Sequence, residues 1–479
     1  MTDILTHYID GERVKAETPH ESLNPSDTRE VVARYPDGGA GEVNAAVEAA
    51  RKAFPAWSGA SPEVRSDVLD RVGDTILKRR EDLGRLLSRE EGKTLPEGIG
   101  EVARAGRIFK YFAGEALRRH GQNLESTRPG VDAQTFREAV GVFGLIAPWN
   151  FPIAIPAWKI APALAFGNTV LFKPADLVPG CAHALAEIIV RAGAPKGVFN
   201  LVMGRGSVVG QAMLDHPKVD AITFTGSVAT GRRVAEACTK RMRKFQLEMG
   251  GKNPLVILDD ADLKTAVECA VNGAYFSTGQ RCTASSRLIV TGGVYARFAD
   301  ALAERMRGLV VDDAVKPGVH IGPVVDQTQL DQDLSYVDIG KGEGAKLALG
   351  GERLNRETPG FYMAPALFLD VDNQMRIARE EIFGPVAAMI PARDYEHALT
   401  LANDTEFGLC GGICTTSLKH ATHFKRNLEA GMAMVNLPTA GVDYHVPFGG
   451  RKGSSLGARE QGHYAIEFYT TVKTAYVLA

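Results

Sequence analysis

A cysteine in a polar, glycine-bearing segment is the strongest candidate for nucleophilic chemistry in this sequence. Cys282 follows Ser277-Thr278-Gly279-Gln280-Arg281, whereas most free cysteines are small buried hydrophobes. A cysteine attacks as its thiolate, which an adjacent cation such as Arg281 or free backbone N–H groups favour. The segment therefore predicts a reactive thiol at position 282.

A glutamate at a predicted strand end is the candidate general base. Glu248 stands between a β-rich run and the pair Gly250-Gly251, a setting that favours a cleft over a solvated helix face. A carboxylate tuned by burial can accept a proton near neutral pH. A surface charge on a loop is the alternative that this position alone leaves open.

Two glycine-containing segments follow β-rich runs and could hold a nucleotide phosphate. Residues 204–210 resemble the dinucleotide-binding fingerprint, although the last spacing is one residue too long. Gly226-Ser227-Val228-Ala229-Thr230-Gly231 opens a predicted helix, whose free N–H groups and Ser227 hydroxyl suit a pyrophosphate. Tight strand-to-helix turns are an equally good interpretation of both segments.

The elements that must position these residues alternate along the chain. Short β-rich runs and helical stretches follow one another from Val142 onward, a rhythm typical of parallel sheets buried on both faces. The runs are VFGLIA, TVLFKPA, VFNLVM and AITFTGS, then LVILDD, RLIVTG, KLALGG, AAMIPA and MAMVNL. We therefore predict an α/β fold with two parallel-sheet domains.

The sequence also predicts helices before and between these strands, and a strand at the end of the chain. Helical spacing of apolar residues predicts helices within 42–54, 62–87, 183–192, 207–214 and 230–238. The tail, TTVKTAYVLA, alternates as a strand with nothing after it to pair with, so we expect it to dock on a neighbouring subunit.

Composition narrows the class of protein. The 479 residues carry a formal net charge of -2, which provides no overall field to attract nucleic acid or an anionic membrane. Six cysteines without a C-x-x-C pair are too few for a disulfide framework, so a reducing cytoplasm is expected. The first twenty residues lack both a basic start and an apolar core segment, so no secretory signal is expected. Three prolines argue against a membrane helix in the uncharged stretch 139–158.

Seven motifs in order along the chain resemble those of NAD(P)-dependent aldehyde dehydrogenases, and the match runs from about residue 8 to the end. They are Pro148-Trp149-Asn150-Phe151-Pro152, Phe172-Lys173-Pro174-Ala175-Asp176, Phe224-Thr225-Gly226-Ser227, Leu247-Glu248-Met249-Gly250-Gly251-Lys252, Gly279-Gln280-Arg281-Cys282, Glu380-Glu381-Ile382-Phe383-Gly384-Pro385 and Pro447-Phe448-Gly449-Gly450.

The resemblance implies a division of the chain into three parts. They are a Rossmann-like cofactor domain (1–118 and 139–249), a catalytic domain (250–463) and a small β oligomerisation arm (119–138 and 464–479). A homodimer or homotetramer is expected.

The resemblance also implies the chemistry. Cys282 attacks the aldehyde carbon, the Asn150 side chain and the Cys282 N–H hold the oxyanion, and hydride leaves for the nicotinamide. Glu248 is then the base for hydrolysis of the thioester. Glu460 is a second carboxylate that the family sometimes places on the proton route, and an exposed ion pair with Arg459 is the alternative interpretation.

Cofactor contacts follow from the same motifs. Lys173 matches the lysine at the adenosine ribose, Gly226 and Ser227 lie by the pyrophosphate, Trp149 lines the cleft, and Glu381 with Phe383 matches the clasp on the nicotinamide ribose. Asp176 stands where many NAD-preferring members carry glutamate. Its carboxylate favours NAD, but the shorter side chain leaves NADP open.

Substrate contacts are expected from Phe151, Trp158 and Arg281. The residues 156–159 and 450–462 are most similar to enzymes that oxidise 2,5-dioxopentanoate (α-ketoglutaric semialdehyde). Arg281 could meet the far carboxylate of such a substrate, or it could raise the local potential or pair with an acid. Trp158 stands where succinate-semialdehyde enzymes often carry arginine. That substrate and a broad range of aldehydes are the alternatives.

Three other interpretations are less favoured. His420 and His423 lack a third ligand, so no metal is proposed. A non-catalytic scaffold would tolerate loss of the thiol or the base, and this chain has both. Coenzyme A-acylating members commonly lack the base found here at Glu248, so hydrolysis is expected.

Overall fold

Two large, mostly parallel sheets position the site in the computed structural model, which describes residues 3–16, 20–118 and 121–478. The strands are β1 (Asp3–Ile4), β2 (His7–Ile9), β3 (Glu12–Val14), β4 (His20–Asn24), β5 (Asp27–Tyr35), β6 (Asn123–Glu125), β7 (Val131–Ala139), β8 (Val142–Ile146), β9 (Thr169–Lys173), β10 (Phe199–Leu201), β11 (Ala221–Thr225), β12 (Lys244–Glu248), β13 (Pro254–Ile257), β14 (Arg287–Thr291), β15 (Lys346–Leu349), β16 (Ala366–Leu369), β17 (Val386–Ala392), β18 (Phe407–Gly408), β19 (Cys410–Cys414), β20 (Met432–Val435), β21 (Arg451–Lys452), β22 (Ser455–Leu456) and β23 (Thr470–Leu478).

The α-helices cover the faces of these sheets. They are α1 (Ala40–Ser58), α2 (Pro62–Lys78), α3 (Arg80–Glu91), α4 (Leu95–Ala116), α5 (Ala154–Ala165), α6 (Pro179–Arg191), α7 (Gln211–Asp215), α8 (Val228–Lys240), α9 (Leu263–Tyr275), α10 (Tyr295–Arg307), α11 (Gln327–Gly342), α12 (Arg376–Arg379), α13 (Tyr395–Asn403), α14 (Leu418–Asn427) and α15 (Ile466–Tyr469). One π-helical turn (Gly206–Gly210) and two 3-10 turns (Phe276–Gly279 and His463–Ala465) complete the helical structure of the described residues.

The first sheet has the strand order β22-β12-β11-β8-β9-β10-β2-β3. Its five central strands run parallel, and β9 and β11 are buried at every residue, as apolar runs covered on both faces should be. The chain lays β9 and β10 on one side of β8 and later β11 and β12 on the other. The order therefore reverses between β8 and β11, where an open α/β sheet binds its ligand.

The second sheet has the order β15-β16-β17-β14-β13-β19-β20, in which only β15 runs antiparallel to its neighbour. The chain passes directly from the carboxyl end of β12 to the amino end of β13. Cys282 precedes β14, which starts level with β13 because Arg287 pairs with Pro254. Glu248, at the carboxyl end of β12, and Cys282, before the amino end of β14, thus lie where the two sheets adjoin.

The parallel α/β architecture predicted from the sequence is confirmed, and several element bounds are corrected. The region 62–87 forms two helices, α2 and α3, because Arg79 leaves helical geometry between them. The helix expected at 207–214 is a π-helical turn followed by the short α7. The uncharged stretch 139–158 divides into β8, a loop and the start of α5. Within the described ranges, no helix combines the length and apolar character needed to span a membrane.

The tail strand has a partner in its own chain. β23 pairs antiparallel with β7 along its whole length, and β6 completes a three-stranded sheet with the order β23-β7-β6. The alternation in the tail predicted the strand, but it did not indicate that 131–139 pairs with it. Residues 119, 120 and 479 of the expected arm, like residues 1, 2 and 17–19 of the first domain, lie outside the described residues.

Candidate active site

The segment before Cys282 has an unusual backbone. Ser277, Thr278 and Gly279 adopt positive φ angles of 51°, 56° and 65° in succession. Glu97 of α4 holds this turn, since its Oε1 accepts hydrogen bonds from the Ser277 N–H (2.8 Å) and hydroxyl (2.9 Å). A Cβ at Gly279 would lie 2.2 Å from the Gly384 carbonyl oxygen, so the turn has no room for a side chain there. Left-handed geometry held by tertiary contacts is typical of functional sites.

Cys282 lies where two cavities meet. One cavity of about 410 Å³ is lined by Cys282 and by side chains of α4 and α5. The other, of about 270 Å³, is lined by Cys282 and by residues that follow β8, β11 and β12. Of the six cysteines, all within the described ranges, Cys282 is half-buried and the other five are buried. Cys282 therefore borders open space on two sides.

Burial raises the pKa of the Cys282 thiol to about 12, and the Glu381 and Glu248 carboxylates raise it further. Its own backbone N–H and the Arg104 guanidinium favour the thiolate instead. At neutral pH the thiol therefore keeps its proton until a base accepts it. Arg281, which precedes Cys282 in the sequence, is therefore not sufficient to deprotonate the thiol.

The Glu248 carboxylate is buried at the end of β12. The side chain is 2% exposed, and burial raises its pKa to about 8. The Ser455 hydroxyl donates to Oε2 at 2.5 Å and opposes this rise, and β22 presents that serine because Ser455 pairs directly with Glu248. A Cβ at Gly449 would lie 2.8 Å from Oε1, so this glycine leaves room for the carboxylate. The sequence alternative of a surface charge is wrong.

Asn150 is fixed beside the cysteine segment. Its side-chain Nδ2 donates to the Gln280 carbonyl at 3.0 Å, and its own carbonyl accepts a hydrogen bond from Lys93 Nζ. Lys93 is also paired with Glu101 at 2.9 Å, and both side chains are about 1% exposed. One N–H of the Asn150 amide is bonded and the second is available, as a donor to a developing oxyanion requires.

The smaller cavity brings together most of the residues expected to bind the cofactor. Trp149, Asn150, Gly226, Ser227, Glu381 and Phe383 line it. The Phe383 ring meets Trp149 edge-on at 5.4 Å, and Phe383 holds a positive φ of 64°. Glu381 Oε1 accepts a hydrogen bond from the Gly251 N–H at 2.9 Å, and a Cβ at Gly250 would lie 2.0 Å from its carboxylate.

Lys173 and Asp176 lie at the carboxyl end of β9, outside the lining of this cavity. Lys173 Nζ is paired with Asp176 at 2.7 Å. A Cβ at Gly206 would be 3.7 Å from the same Nζ, so the π-helical turn lies beside this pair. Ser227 caps α8, since its hydroxyl accepts a hydrogen bond from the Thr230 N–H. Both glycine segments therefore lie at the carboxyl ends of strands of the first sheet: 204–210 beside the end of β9, and Gly226 with Ser227 after β11.

The larger cavity contains the expected substrate contacts. Phe151, Trp158 and Arg281 all line it. Trp158 belongs to α5, whose residues are all buried, and its ring stacks on Phe448 at 5.1 Å. Lys93 and Arg104 line the same cavity and were not predicted from the sequence. Arg104 stands three residues after Glu101 on an amphipathic helix, a spacing that ordinarily indicates a solvated ion pair.

Glu460 is not the exposed partner of Arg459 that the sequence allowed. Its side chain is fully buried and bonded to Lys159 Nζ, which also donates to the Thr223 hydroxyl at 2.7 Å. Burial raises the pKa of Glu460, and Lys159 opposes this rise. Arg459 instead donates to the Gly450 carbonyl.

The histidines on α14 serve packing. The His420 ring stacks on Tyr395 at 4.4 Å, and His423 Nδ1 lies 2.7 Å from the Tyr395 hydroxyl. Among the residues that the structure describes, no group of three His, Cys, Asp or Glu side chains could hold a metal ion.

Comparison with known proteins agrees with this geometry. The sequence matches the aldehyde dehydrogenase family over residues 12–475, and the chain belongs to that family. The chain is thus an oxidoreductase of the aldehyde dehydrogenase class, as the motifs indicated.

The relatives give the resemblance more detail. The alpha-ketoglutaric semialdehyde dehydrogenase of Bacillus subtilis is 44% identical over 98% of this chain and 97% of its own length. The alpha-ketoglutarate semialdehyde dehydrogenase of Haloferax volcanii is 42% identical, with 99% of each chain covered. The crystal structure of betaine aldehyde dehydrogenase from Staphylococcus aureus in complex with NAD+ has a TM-score of 0.96 and 34% identity, covering 99% of this chain and 94% of that one. The predicted two-domain fold is therefore confirmed.

Proposed function

We propose that this enzyme oxidises a small carboxylated semialdehyde, 2,5-dioxopentanoate, to the dicarboxylic acid with NAD or NADP. The observation that carries the proposal is the position of Cys282 between a cavity lined by two guanidinium groups and a cavity lined by the expected cofactor contacts. The names of the two relatives at 42% and 44% identity support the substrate.

The nucleophile, the base and the oxyanion donor have distinct roles in this proposal. Glu248 accepts the Cys282 proton, and the thiolate attacks the aldehyde carbon to form a thiohemiacetal oxyanion. The Asn150 amide and the Cys282 N–H donate to that oxygen. Because Asn150 is held by Gln280 and Lys93, its donor is oriented before the charge develops.

Hydrolysis completes the cycle. When bound, the nicotinamide cofactor supplies the acceptor for the hydride that the thiohemiacetal carbon loses in becoming a thioester. Glu248 first releases to solvent the proton that it took from Cys282. It then takes a proton from water, the resulting hydroxide attacks the thioester carbon, and the C–S bond breaks. The departing Cys282 thiolate takes that proton from Glu248, so the products are the carboxylic acid and the free thiol, ready for another aldehyde.

The residues around the smaller cavity fit a dinucleotide. The turn at Gly226 and Ser227 opens α8, where free N–H groups favour a pyrophosphate. Trp149, Phe383 and Glu381 would contact the nicotinamide half, and Lys173 with Asp176 the adenosine ribose. The positions of these residues support the cofactor-binding roles that were inferred from the motifs.

A panel of aldehydes assayed without coenzyme A tests the proposed substrate. A charge-assisted bond to the carboxylate, worth about 1.5–3 kcal/mol, should favour 2,5-dioxopentanoate over pentanal by roughly 10- to 150-fold in kcat/KM. Equal or greater rates with pentanal or benzaldehyde would favour a broad aldehyde dehydrogenase, and a clear preference for succinate semialdehyde would favour that alternative. NADH formation that required coenzyme A would exclude hydrolysis.

Asp176 is expected to select NAD over NADP. Its carboxylate is 34% exposed and would face the 2′-phosphate of NADP if Lys173 meets the ribose. Removing it in Asp176→Ser should raise the ratio of kcat/KM for NADP to that for NAD by at least about 10-fold, because opposed like charges cost more than ~1.4 kcal/mol. Asp176→Glu keeps the charge and should keep the NAD preference. An unchanged ratio in the serine variant would exclude this role.

We also propose that the arm sheet joins subunits into a homodimer or homotetramer. β23 forms an edge of that sheet and exposes Val472, Tyr476, Val477 and Leu478. Exposed apolar side chains on an edge strand are typical of an interface. Light scattering should give at least twice the mass of 51.5 kDa, and a fully active monomer would contradict the proposal.

The cysteines support a cytoplasmic location. All six are free thiols, as a reducing compartment requires. Cell fractionation tests this location, and recovery of the protein from an oxidising compartment would contradict it.

A further inference from the structure

Two guanidinium groups line the cavity that Cys282 shares with α4 and α5, those of Arg104 and Arg281. No carboxylate of the described residues lies within 4.0 Å of either group. Buried charges are costly unless they are paired, so each cation needs a compensating negative charge from the protein or from a ligand.

The hydrogen bonds of the two arginines leave both charges unpaired. Arg104 Nη2 donates to the Gln461 side-chain oxygen at 3.1 Å, and Arg281 Nη2 donates to the Asn272 carbonyl. Both acceptors are neutral. The Nε atom of each arginine is buried without a partner among the described residues. Hydrogen bonding alone therefore does not distinguish the two.

The carboxylates farther away do distinguish them. Arg281 has Glu97 as its principal negative neighbour, and all the hydrogen bonds that Glu97 accepts come from neutral groups of Thr94 and Ser277. The negative charge of Glu97 is thus available to balance Arg281.

The carboxylate near Arg104 is already committed. Glu101 is its principal negative neighbour, but Glu101 is paired with the buried ammonium of Lys93 at 2.9 Å. Glu91 lies farther from Lys93 Nζ, at 3.9 Å, and burial raises its pKa to about 8, so at neutral pH it is mostly protonated and Glu101 remains the charged partner of Lys93. Asp443, the other carboxylate near Arg104, is exposed, so solvent screens it. Arg104 is the cation of this cavity whose charge the protein does not balance.

The Arg104 side chain is also held in place. Its guanidinium carbon lies 5.7 Å from the centre of the Trp158 ring, and Trp158 is fixed in turn by stacking on Phe448. With Gln461 on one nitrogen and an aromatic face beside it, the planar fork is oriented before a ligand arrives. Such a fork suits a carboxylate, which it can bind through two parallel hydrogen bonds.

We propose that Arg104 binds the carboxylate of the aldehyde substrate and sets the preference for carboxylated semialdehydes. This inference rests on the proposed function and moves the anionic contact from Arg281, where the sequence suggested it, to α4. Arg281 then has a structural role in the cavity. It joins the cysteine segment to the Asn272 carbonyl near the end of α9, and Glu97 balances its charge.

Arg104→Met and Arg281→Met, assayed with 2,5-dioxopentanoate and with pentanal, test the assignment. In Arg104→Met, we expect kcat/KM for 2,5-dioxopentanoate to fall roughly 10- to 150-fold more than kcat/KM for pentanal, which should fall only because the Cys282 thiolate loses a nearby cation. The selectivity ratio should therefore collapse. In Arg281→Met, both substrates should be affected to a similar degree, so the ratio should survive.

Arg104→Lys serves as a second variant if methionine prevents folding, as judged by the thermal midpoint and NAD+ binding. A lysine keeps the charge but loses the fork, so it should retain part of the selectivity. A merely structural role for Arg104 would lower both substrates together in every variant.

The outcomes separate this inference from the proposed function. An unmutated enzyme without preference for 2,5-dioxopentanoate would overturn the proposed function. A preference that persists in Arg104→Met and disappears in Arg281→Met would overturn the assignment to Arg104 and leave the proposed function standing.

Discussion

Replacing Cys282 with alanine is expected to lower kcat for aldehyde oxidation by at least about 10⁴-fold, because loss of a nucleophile removes the first bond-forming step. Binding of NAD+ should change little, since the cleft residues that follow β8 and β11 do not depend on the thiol. Steady-state NADH formation and calorimetric titration with NAD+ measure the two quantities.

Cys238→Ala is the matched control. Cys238 is a buried thiol near the end of α8, remote from the turn at Ser227, and its replacement should leave turnover unchanged apart from a small loss of stability. Turnover of Cys282→Ala within tenfold of the unmutated enzyme would exclude Cys282 as the nucleophile.

Replacing Glu248 with glutamine is expected to slow deacylation most strongly. A general base contributes roughly 10²- to 10⁴-fold, so steady-state kcat should fall by that factor. Without Glu248 the Cys282 thiol must lose its proton to solvent, so acylation should slow as well, but by less than hydrolysis. NADH should then appear in a burst of about one equivalent per active site, followed by slow turnover. Stopped-flow absorbance measures both phases. Slow turnover without a burst at saturating aldehyde would show that acylation, and not deacylation, is the step that depends most on Glu248.

The pH dependence of the unmutated enzyme provides a second test of Glu248. A base must be deprotonated to act, and burial raises its pKa to about 8. The deacylation rate should therefore rise as pH increases towards 8 and level off above it. Glu248→Gln should lose this inflection. Glu236→Gln, on the exposed face of α8, is the control and should keep both the rate and the profile.

Much of the fold was predictable because its signals are local. Apolar runs such as β9 and β11 are buried at every residue, and their alternation with helices indicates a parallel sheet without further information. Cys282 also stood out locally, since a polar segment with glycine is an unusual place for a cysteine. The roles of Glu248 and Asn150 depended on the motifs.

Contacts between distant parts of the chain could not be predicted from local patterns. The tail was predicted as a strand, but its partner β7 lies more than 300 residues earlier, and no local pattern records that pairing. Glu460 next to Arg459 suggested a surface pair, whereas the carboxylate is buried against Lys159.

Arg104 was missed for the same reason. On α4 it follows Glu101 at the spacing of an ordinary helical ion pair, and only the structure shows that Lys93 takes that carboxylate instead. Whether Arg104 has a charged partner depends on how Lys93 and Glu101 are arranged around it in three dimensions. The sequence alone does not show this arrangement.

The most direct test of the account identifies the residue that carries the acyl group. Glu248→Gln enzyme should be mixed with NAD+ and 2,5-dioxopentanoate, quenched with acid during the burst and digested for peptide mass spectrometry. We expect the peptide containing Cys282 to carry the added acyl mass in an amount equal to the NADH burst. An unmodified Cys282 peptide alongside a full burst, or the added mass on another residue, would contradict it.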